Sequence, residues 1–300
     1  MPNRNYQIGL YKMGLYKMNK NYNQILYEVD SQGNAVITGR VHHESRLQIP
    51  EEIEGRKVVG ISSHAFSDDN EIEEVNIMGS MEYIGPFAFE FCESLKEINL
   101  PDSISFIGES AFEGCCSIEY IHIPKGLERI EKSTFEECTE LKKIEIPENI
   151  KYIDQRAFEF CLKLEKAVLH EGLEFIGNGG FFCCRRLKEF KMPNTVKQTG
   201  KEILLGCRSL ETISFSSSLE RIEVGLISRC RKLKQIHVPM NVCTVCNGAF
   251  AECSSVTSFE YENPDIVMGV KVFDGCTALL EDPEFLEKMD KFLKNQVGQK

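Results

Sequence analysis

Apolar positions along this chain return on a ruler of twenty-three residues. The pentapeptide AFEFC fills 88–92 and again 157–161, three periods later. Its first phenylalanine sets the marks Phe66, Phe89, Phe112, Phe135, Phe158 and Phe181, followed by Leu204, Ile227, Phe250 and Phe273. Three residues beyond each mark stands a cysteine: Cys92, Cys115, Cys138, Cys161, Cys184, Cys207, Cys230, Cys253 and Cys276, with Asp69 in that place after the first mark. A second motif, L-x-x-I-x-[IL]-P, follows each cysteine, as in LKEINLP at 95–101, LKKIEIP at 141–147 and LKQIHVP at 233–239. Its alternation of apolar and polar residues predicts a short half-buried strand, and the proline ends it because it has no N–H for the next ladder bond. An apolar pair such as Ile104 and Ile107, or Ile150 and Ile153, leads to the next A-F.

A unit this short cannot bury its own apolar face and must lie against its neighbours. Equal spacing stacks strand on strand, about 4.8 Å apart, into a parallel sheet. The prediction is a repeat solenoid with a parallel β-sheet on one face and turns or short 3-10 or helical segments on the other. About ten turns make it roughly 45–50 Å long. The organisation expected is a poorly ordered tail over 1–24, the solenoid over 25–281 with its front cap over 25–60, and a capping helix over 282–300. The front cap is a hairpin read from ILYEVDSQGNAVITG (25–39), which alternates around a polar turn. In DPEFLEKMDKFLKNQ (282–296) Asp282 is the N-cap and Pro283 the first helical residue. Phe285, Leu286, Met289, Phe292 and Leu293 form the apolar stripe that covers the last repeat. Within the repeats, Ala and Phe of A-F share one volume: the pair becomes Ile-Leu at 203–204 and Leu-Ile at 226–227. The stretch 194–230, with Thr199 at a usually apolar mark, is the least regular and is expected to be locally weakest.

The unit A-F-x-x-C-x-x-L-x-x-I-x-[IL]-P resembles the leucine-rich repeats of the BspA-like, or Treponema pallidum, type, over about residues 25–280. The segment VITGRVHHESRLQIPEEIEGRKVVGISSHAF at 36–66 looks like that family's first repeat with its longer loop. The resemblance implies a right-handed solenoid used for binding proteins or cell surfaces. Two features depart from it. Members are often secreted or surface-attached, and no export or wall-anchoring signal is visible here. Ordinary leucine-rich repeats also carry a buried Asn ladder, whereas Ser103, Gly126, Asn149, Gly172, Thr195, Ser218 and Asn241 are too mixed to form one.

Composition narrows the partners. Hydrophobic residues make up 42% and charged residues 27%, which argues against wholesale disorder. The net charge of −11 repels phosphate backbones, so nucleic acid and anionic membrane are poor partners. No run reaches the ~20 apolar residues of a membrane span. The chain reads as a soluble, cytoplasmic monomer, and the back-to-back GLYKM in 9–18 is given no function.

The stacked cysteines invite two readings: small reduced hydrophobes packed in the core, or disulfides or a shared metal. In-register stacking points their Cβ vectors the same way, which suits neither a bridge nor a tetrahedral cage, and favours the first. Cys243 and Cys246 form one C-x-x-C with no second pair at zinc-ligand spacing. No G-x-S-x-G, H-E-x-x-H or phosphate-binding glycine loop occurs. His122 and His237 sit five turns, about 24 Å, apart, and His42 and His43 have no metal-site partners nearby. No catalytic residues, metal or cofactor are assigned.

What remains is the outward side of the sheet. Its two positions per turn carry Glu97 and Asn99, Tyr120 and His122, Lys143 and Glu145, Lys166, Glu189 and Lys191, and then Gln235 and His237. Tyr120 and His122 beside Lys143 and Lys166 form the candidate anchor, since aromatic and cationic groups dominate interface energies. Lys166 and Glu189 are also placed to pair across neighbouring turns. The function expected is a non-enzymatic protein-binding module using this concave face. An adhesin or glycan-binding protein reaching the cell surface is the alternative, and thiol or metal storage along the cysteines a third.

Overall fold

The computed structural model describes residues 20–41 and 44–297, with side chains to Phe292. The GLYKM duplication, His42, His43, Leu293 and most of the expected 1–24 tail lie outside the described residues.

The repeats coil into the expected parallel solenoid, in register at every turn. Each turn contributes two short strands instead of one. The L-x-x-I strands form a first ladder: Arg46–Ile49, Glu74–Ile77 and Glu97–Asn99; then Lys143–Glu145, Lys166–Val168, Glu189–Lys191 and Thr212–Ser214; then Gln235–Val238 and Ser258–Tyr261. The pair before the next A-F forms a second ladder, continued from Arg56–Ile61 through Tyr83–Ile84 to Phe106–Ile107. It resumes from Arg129–Ile130 to Gln198–Thr199, and again from Arg221–Ile222 to Val267–Met268. The A-F segment between the ladders is a turn, not a helix.

That turn is nonetheless hydrogen-bonded from coil to coil. The N–H groups of Phe87, Phe89 and Phe91 donate to the carbonyls of Glu109, Ala111 and Glu113 at 2.9, 2.9 and 2.7 Å. The residues two before and two after the central phenylalanine hold left-handed backbone, with φ of 60° at Phe87 and 54° at Phe91. Alternating the backbone hand aims successive donors the same way. A non-glycine residue in this region costs of order 1 kcal/mol, which the three bonds offset.

Inside, the phenylalanines stack. Ring centroids from Phe66 to Phe181 are 5.1–5.6 Å apart in succession, with interplanar angles of 4–19°. Where the mark shrinks to Leu204 and Ile227, aromatic volume comes from the strand side. Phe190 packs edge-on against Phe181 at 5.1 Å, and Phe215 lies 6.5 Å from Phe250. The nine repeat cysteines are buried at 0% exposure, and none of the thirteen is bridged. Each repeat thiol donates to the carbonyl of the marked residue one turn back: Cys92 to Phe66 at 3.0 Å, Cys161 to Phe135 at 3.3 Å, Cys276 to Phe250 at 3.1 Å. The residue is thus a compact hydrophobe that also satisfies a buried backbone acceptor. Asp69, which replaces the first cysteine, instead takes the Arg40 guanidinium from the cap through two bonds of 2.6 and 2.7 Å.

The mixed column that seemed unable to act as an Asn ladder does part of that work. Ser103, Asn149 and Thr195 each donate to a carbonyl of the preceding turn, those of Met81, Leu127 and Leu173. Different side chains reach the same acceptor because only a short donor is needed.

Each ladder parts twice. The first parts between Glu97–Asn99 and the Tyr120 bridge and between Thr212–Ser214 and Gln235–Val238, and the second between Phe106–Ile107 and Arg129–Ile130 and between Gln198–Thr199 and Arg221–Ile222. The later gap of the second ladder lies in the irregular stretch; the earlier does not. Both gaps of the second ladder fall at one column. Gly108 and Gly200 sit so close to the previous turn that a Cβ would lie 2.4 Å from the Pro86 nitrogen or 2.3 Å from that of Asn178. The next turn in each case carries a glutamate there, Glu131 or Glu223, and it is at these two turns that the second ladder is interrupted. Asp154 and Cys246, one turn further on, follow a turn of their own kind, and pairing resumes. The arc does not part. Ser110, Phe112 and Gly114 donate to Lys132, Thr134 and Glu136 across the first interruption, and Glu202, Leu204 and Gly206 to Val224, Leu226 and Ser228 across the second.

The ends are closed. Ile25–Val29 and Ala35–Arg40 form the front hairpin, and Asp30 accepts the Gln32 and Asn34 N–H groups at 2.8 Å in its turn. A further strand, Lys20–Tyr22, joins it through a two-residue turn with positive φ at Asn23 and Gln24, so the cap starts ahead of residue 25. At the back, the Glu284 N–H donates to Asp282 Oδ1 at 3.0 Å at the start of helix Pro283–Val297. Phe285 packs on Phe273 at 5.3 Å and Phe292 on Tyr261 at 6.1 Å, whereas Leu286 is 46% exposed and off the covering face.

Candidate interaction surface

Alternation along the first ladder turns Ile98, Ile121, Ile144, Phe190 and Ile236 inward and leaves Glu97, Asn99, Lys143, Glu145, Lys166, Glu189, Lys191, Gln235 and His237 exposed. Pairing sets them in rows. Lys166 lies between Lys143 and Glu189, Lys191 beside Ser214, Gln235 beside Ser258, and His237 beside Glu260. Tyr120 joins this face through a single bridge to Lys143, at the lip of the first interruption. Its ring is 61% exposed, and Lys142 Nζ stands 5.8 Å from the centroid.

The charges are partly self-paired. His122 Nε2 is 2.7 Å from Asp102 Oδ1, and this bond, with the Lys125 N–H, holds the Asp102 carboxyl below its ordinary range. His237 meets Glu262 at 2.9 Å and lowers its carboxyl likewise. Lys143 turns along its own strand to Glu145, 3.3 Å away. Lys166 and Glu189 are in register yet make no ion pair among the described residues, and Lys166, Glu189 and Lys191 are exposed. The structure therefore brings Tyr120 and Lys143 together and ties His122 to the side.

A second outward face escaped the sequence reading. Along the second ladder Tyr83 and Phe106 are neighbours, and beyond the gap Arg129 lies over the Tyr152 ring at 4.8 Å, with Phe175 next. The signal was present as an aromatic before each buried isoleucine, in YIG, FIG, YID and FIG, but only the isoleucine was used. At the second interruption a cleft of about 550 Å³ opens, lined by Lys197, Thr199, Ser218, Glu220, Arg221 and Glu223.

On the convex arc Glu136 and Glu159 occupy adjacent turns and are nearly buried. Burial, reinforced by Glu136, raises the Glu159 carboxyl to about 7, while Arg156, 3.4 Å away, opposes it. Burial also pushes most repeat thiols up, that of Cys92 to about 12, whereas a hydrogen bond with Cys230 lowers that of Cys253. Among the described residues no three His, Cys, Asp or Glu side chains are grouped to hold a metal ion, and no helix is long and apolar enough to cross a membrane.

A family described as "BspA type Leucine rich repeat region (6 copies)" matches residues 59–185 and 157–280. No curated protein matches the sequence. Among solved structures, the chain is similar to a leucine rich cell surface protein from Faecalibacterium prausnitzii, at 20% identity over 88% of this chain and 94% of that one, with a TM-score of 0.44. It is also similar to the T. pallidum leucine rich repeat protein, at 20% identity over 91% and 95% with a TM-score of 0.34. The pneumococcal vaccine antigen PcpA matches at 20% identity over 81% and 82%, with a TM-score of 0.43.

Proposed function

Since the chain belongs to the BspA-type leucine-rich repeat family, we propose that it is a non-enzymatic module that holds a protein partner against the outward face of its first ladder. One observation carries this reading. Tyr120 stands 61% exposed on this face at the lip of the first interruption, beside Lys143 and two turns from Lys166, which forms no ion pair among the described residues. An exposed tyrosine ringed by cations is the composition of an interface anchor. The repeat core, with its phenylalanine and cysteine columns, is the rigid support that keeps this row in place.

The test is capture from native lysate with the immobilised protein. Replacing Tyr120, His122 and Lys143 by Ala should abolish capture of the partner and leave the melting temperature unchanged. Equal capture by the triple variant refutes the site. The setting in this reading is the cytoplasm, with the protein acting as a monomer. Recovery of the protein from the surface of intact cells would move it to the adhesin class.

A further inference from the structure

The residue after each repeat cysteine starts the turn that leads into the first ladder. In successive repeats it is Glu93, Cys116, Thr139 and Leu162, then Arg185, Arg208 and Arg231, then Ser254. Three arginines thus occupy the same place in three consecutive turns of a protein whose net charge is −11. All three are exposed. The turns are stacked directly, since the Ser209 N–H donates to the Arg185 carbonyl at 3.2 Å and the Cys207 and Cys230 thiols bond back at 3.3 and 3.4 Å. The backbone spacing is therefore about 5 Å from Arg185 to Arg208, and the arc bonds of Leu204 and Gly206 hold the Arg231 turn alongside.

Many of the chain's other cations are neutralised across turns. Lys96 reaches Glu73, Lys142 Glu119, Lys163 Glu140 and Lys188 Glu165, at 2.8, 2.6, 2.5 and 3.4 Å. None of Arg185, Arg208 and Arg231 forms an ion pair within 4 Å among the described residues. The neighbouring Lys232 forms none either. Three like charges in register repel, at a cost in stability that a bound anion removes. The residue type differs as well. Lysine does most of the internal pairing, while the column is arginine, whose planar fork grips a carboxylate through two bonds and which is enriched at interfaces where lysine is depleted. The field of the column is felt inside: Arg185 and Arg208 both oppose the burial that raises the Cys183 thiol.

We infer that Arg185, Arg208 and Arg231 form a docking strip for an acidic, extended segment of a protein partner, laid along the solenoid axis. Same-side carboxylates of an extended peptide lie about 6.7 Å apart, within reach of flexible arginines rooted about 5 Å apart. Net charge does not forbid this, because at physiological salt screening acts beyond about 8 Å and the local column decides. A nucleic acid strand would bring its phosphates against the acidic remainder of the surface, which disfavours it. The inference shares the protein-partner reading above but rests on a different strip.

The probe is a fluorescent oligo-glutamate, titrated against the full chain by anisotropy over a salt series. Saturable binding that weakens with salt is expected. The R185Q/R208Q/R231Q variant should bind at least tenfold more weakly at unchanged melting temperature, and restoring Arg208 alone should recover part of the affinity. The Tyr120, His122 and Lys143 alanine variant should bind the probe as the parent does, so failure of one strip is told apart from failure of the other. Equal binding by the glutamine variant overturns the inference. So does binding of a sulfated oligosaccharide or oligo-dT by a chain that ignores oligo-glutamate.

Discussion

Replacing Glu159 with Gln should stabilise the protein at pH 8 and do little at pH 5. The carboxyl is 9% exposed, one turn from the equally buried Glu136, with the half-exposed Arg156 as the one ion-pairing cation among the described residues. Burial and Glu136 together raise it from an ordinary value near 4.5 to about 7. A raised acid favours the protonated fold. Its stabilising contribution is complete below about pH 4.5 and is lost as the pH climbs through 7. The full rise corresponds to about 3 kcal/mol, and solvent and Arg156 at the rim reduce the net effect to about 1–2 kcal/mol. The amide keeps the shape and removes the titration. Melting followed by circular dichroism at pH 5 and pH 8 should show a gain of roughly 2–6 °C confined to the higher pH. An equal gain at both values, or none at pH 8, would refute the electrostatic argument.

Other expectations follow from the packing. Cys161→Ala removes buried volume and the only thiol donor to the Phe135 carbonyl, and should cost about 1–3 kcal/mol in denaturant melts; Cys161→Ser, which keeps a donor, should cost less. Arg40→Ala strands Asp69 next to the core and should cost about 3–5 kcal/mol, most of it recovered when Asp69 is also changed to Cys. Native thiol labelling should modify the exposed Cys243 first and reach the nine repeat cysteines only after denaturant is added; fast labelling of the nine would revive a thiol-storage role. Glu223→Gly should let the second ladder close, seen as slower amide exchange at 197–223, and unchanged exchange would show that another residue holds the gap open.

Much of this was legible because a strict period turns one local signal into ten. The phenylalanine and cysteine columns and the outward rows of the first ladder could be placed from spacing alone, and the two caps from alternation and helix-start residues, though the front cap begins earlier than expected. The arc could not, because its left-handed positions are filled by residues such as Phe87, Phe91, Ser133 and Arg156 more often than by glycine, and such residues announce no turn. The interruptions were hidden for the opposite reason. Those of the second ladder fall where one glycine gives way to Glu131 and to Glu223, in a column whose closeness to the previous turn only coordinates reveal. Side-chain pairing also lay beyond reach: register put Lys166 beside Glu189, yet rotamers sent Lys143 to Glu145 and left the other pair apart.

The unbroken arc behind two parted joints works like the spine of a book. Loads applied at the ends will not spread evenly; they will gather at the two openings, while the blocks between them travel as stiff boards. A bend imposed on the coil opens those pages first, without tearing a single bond along the binding.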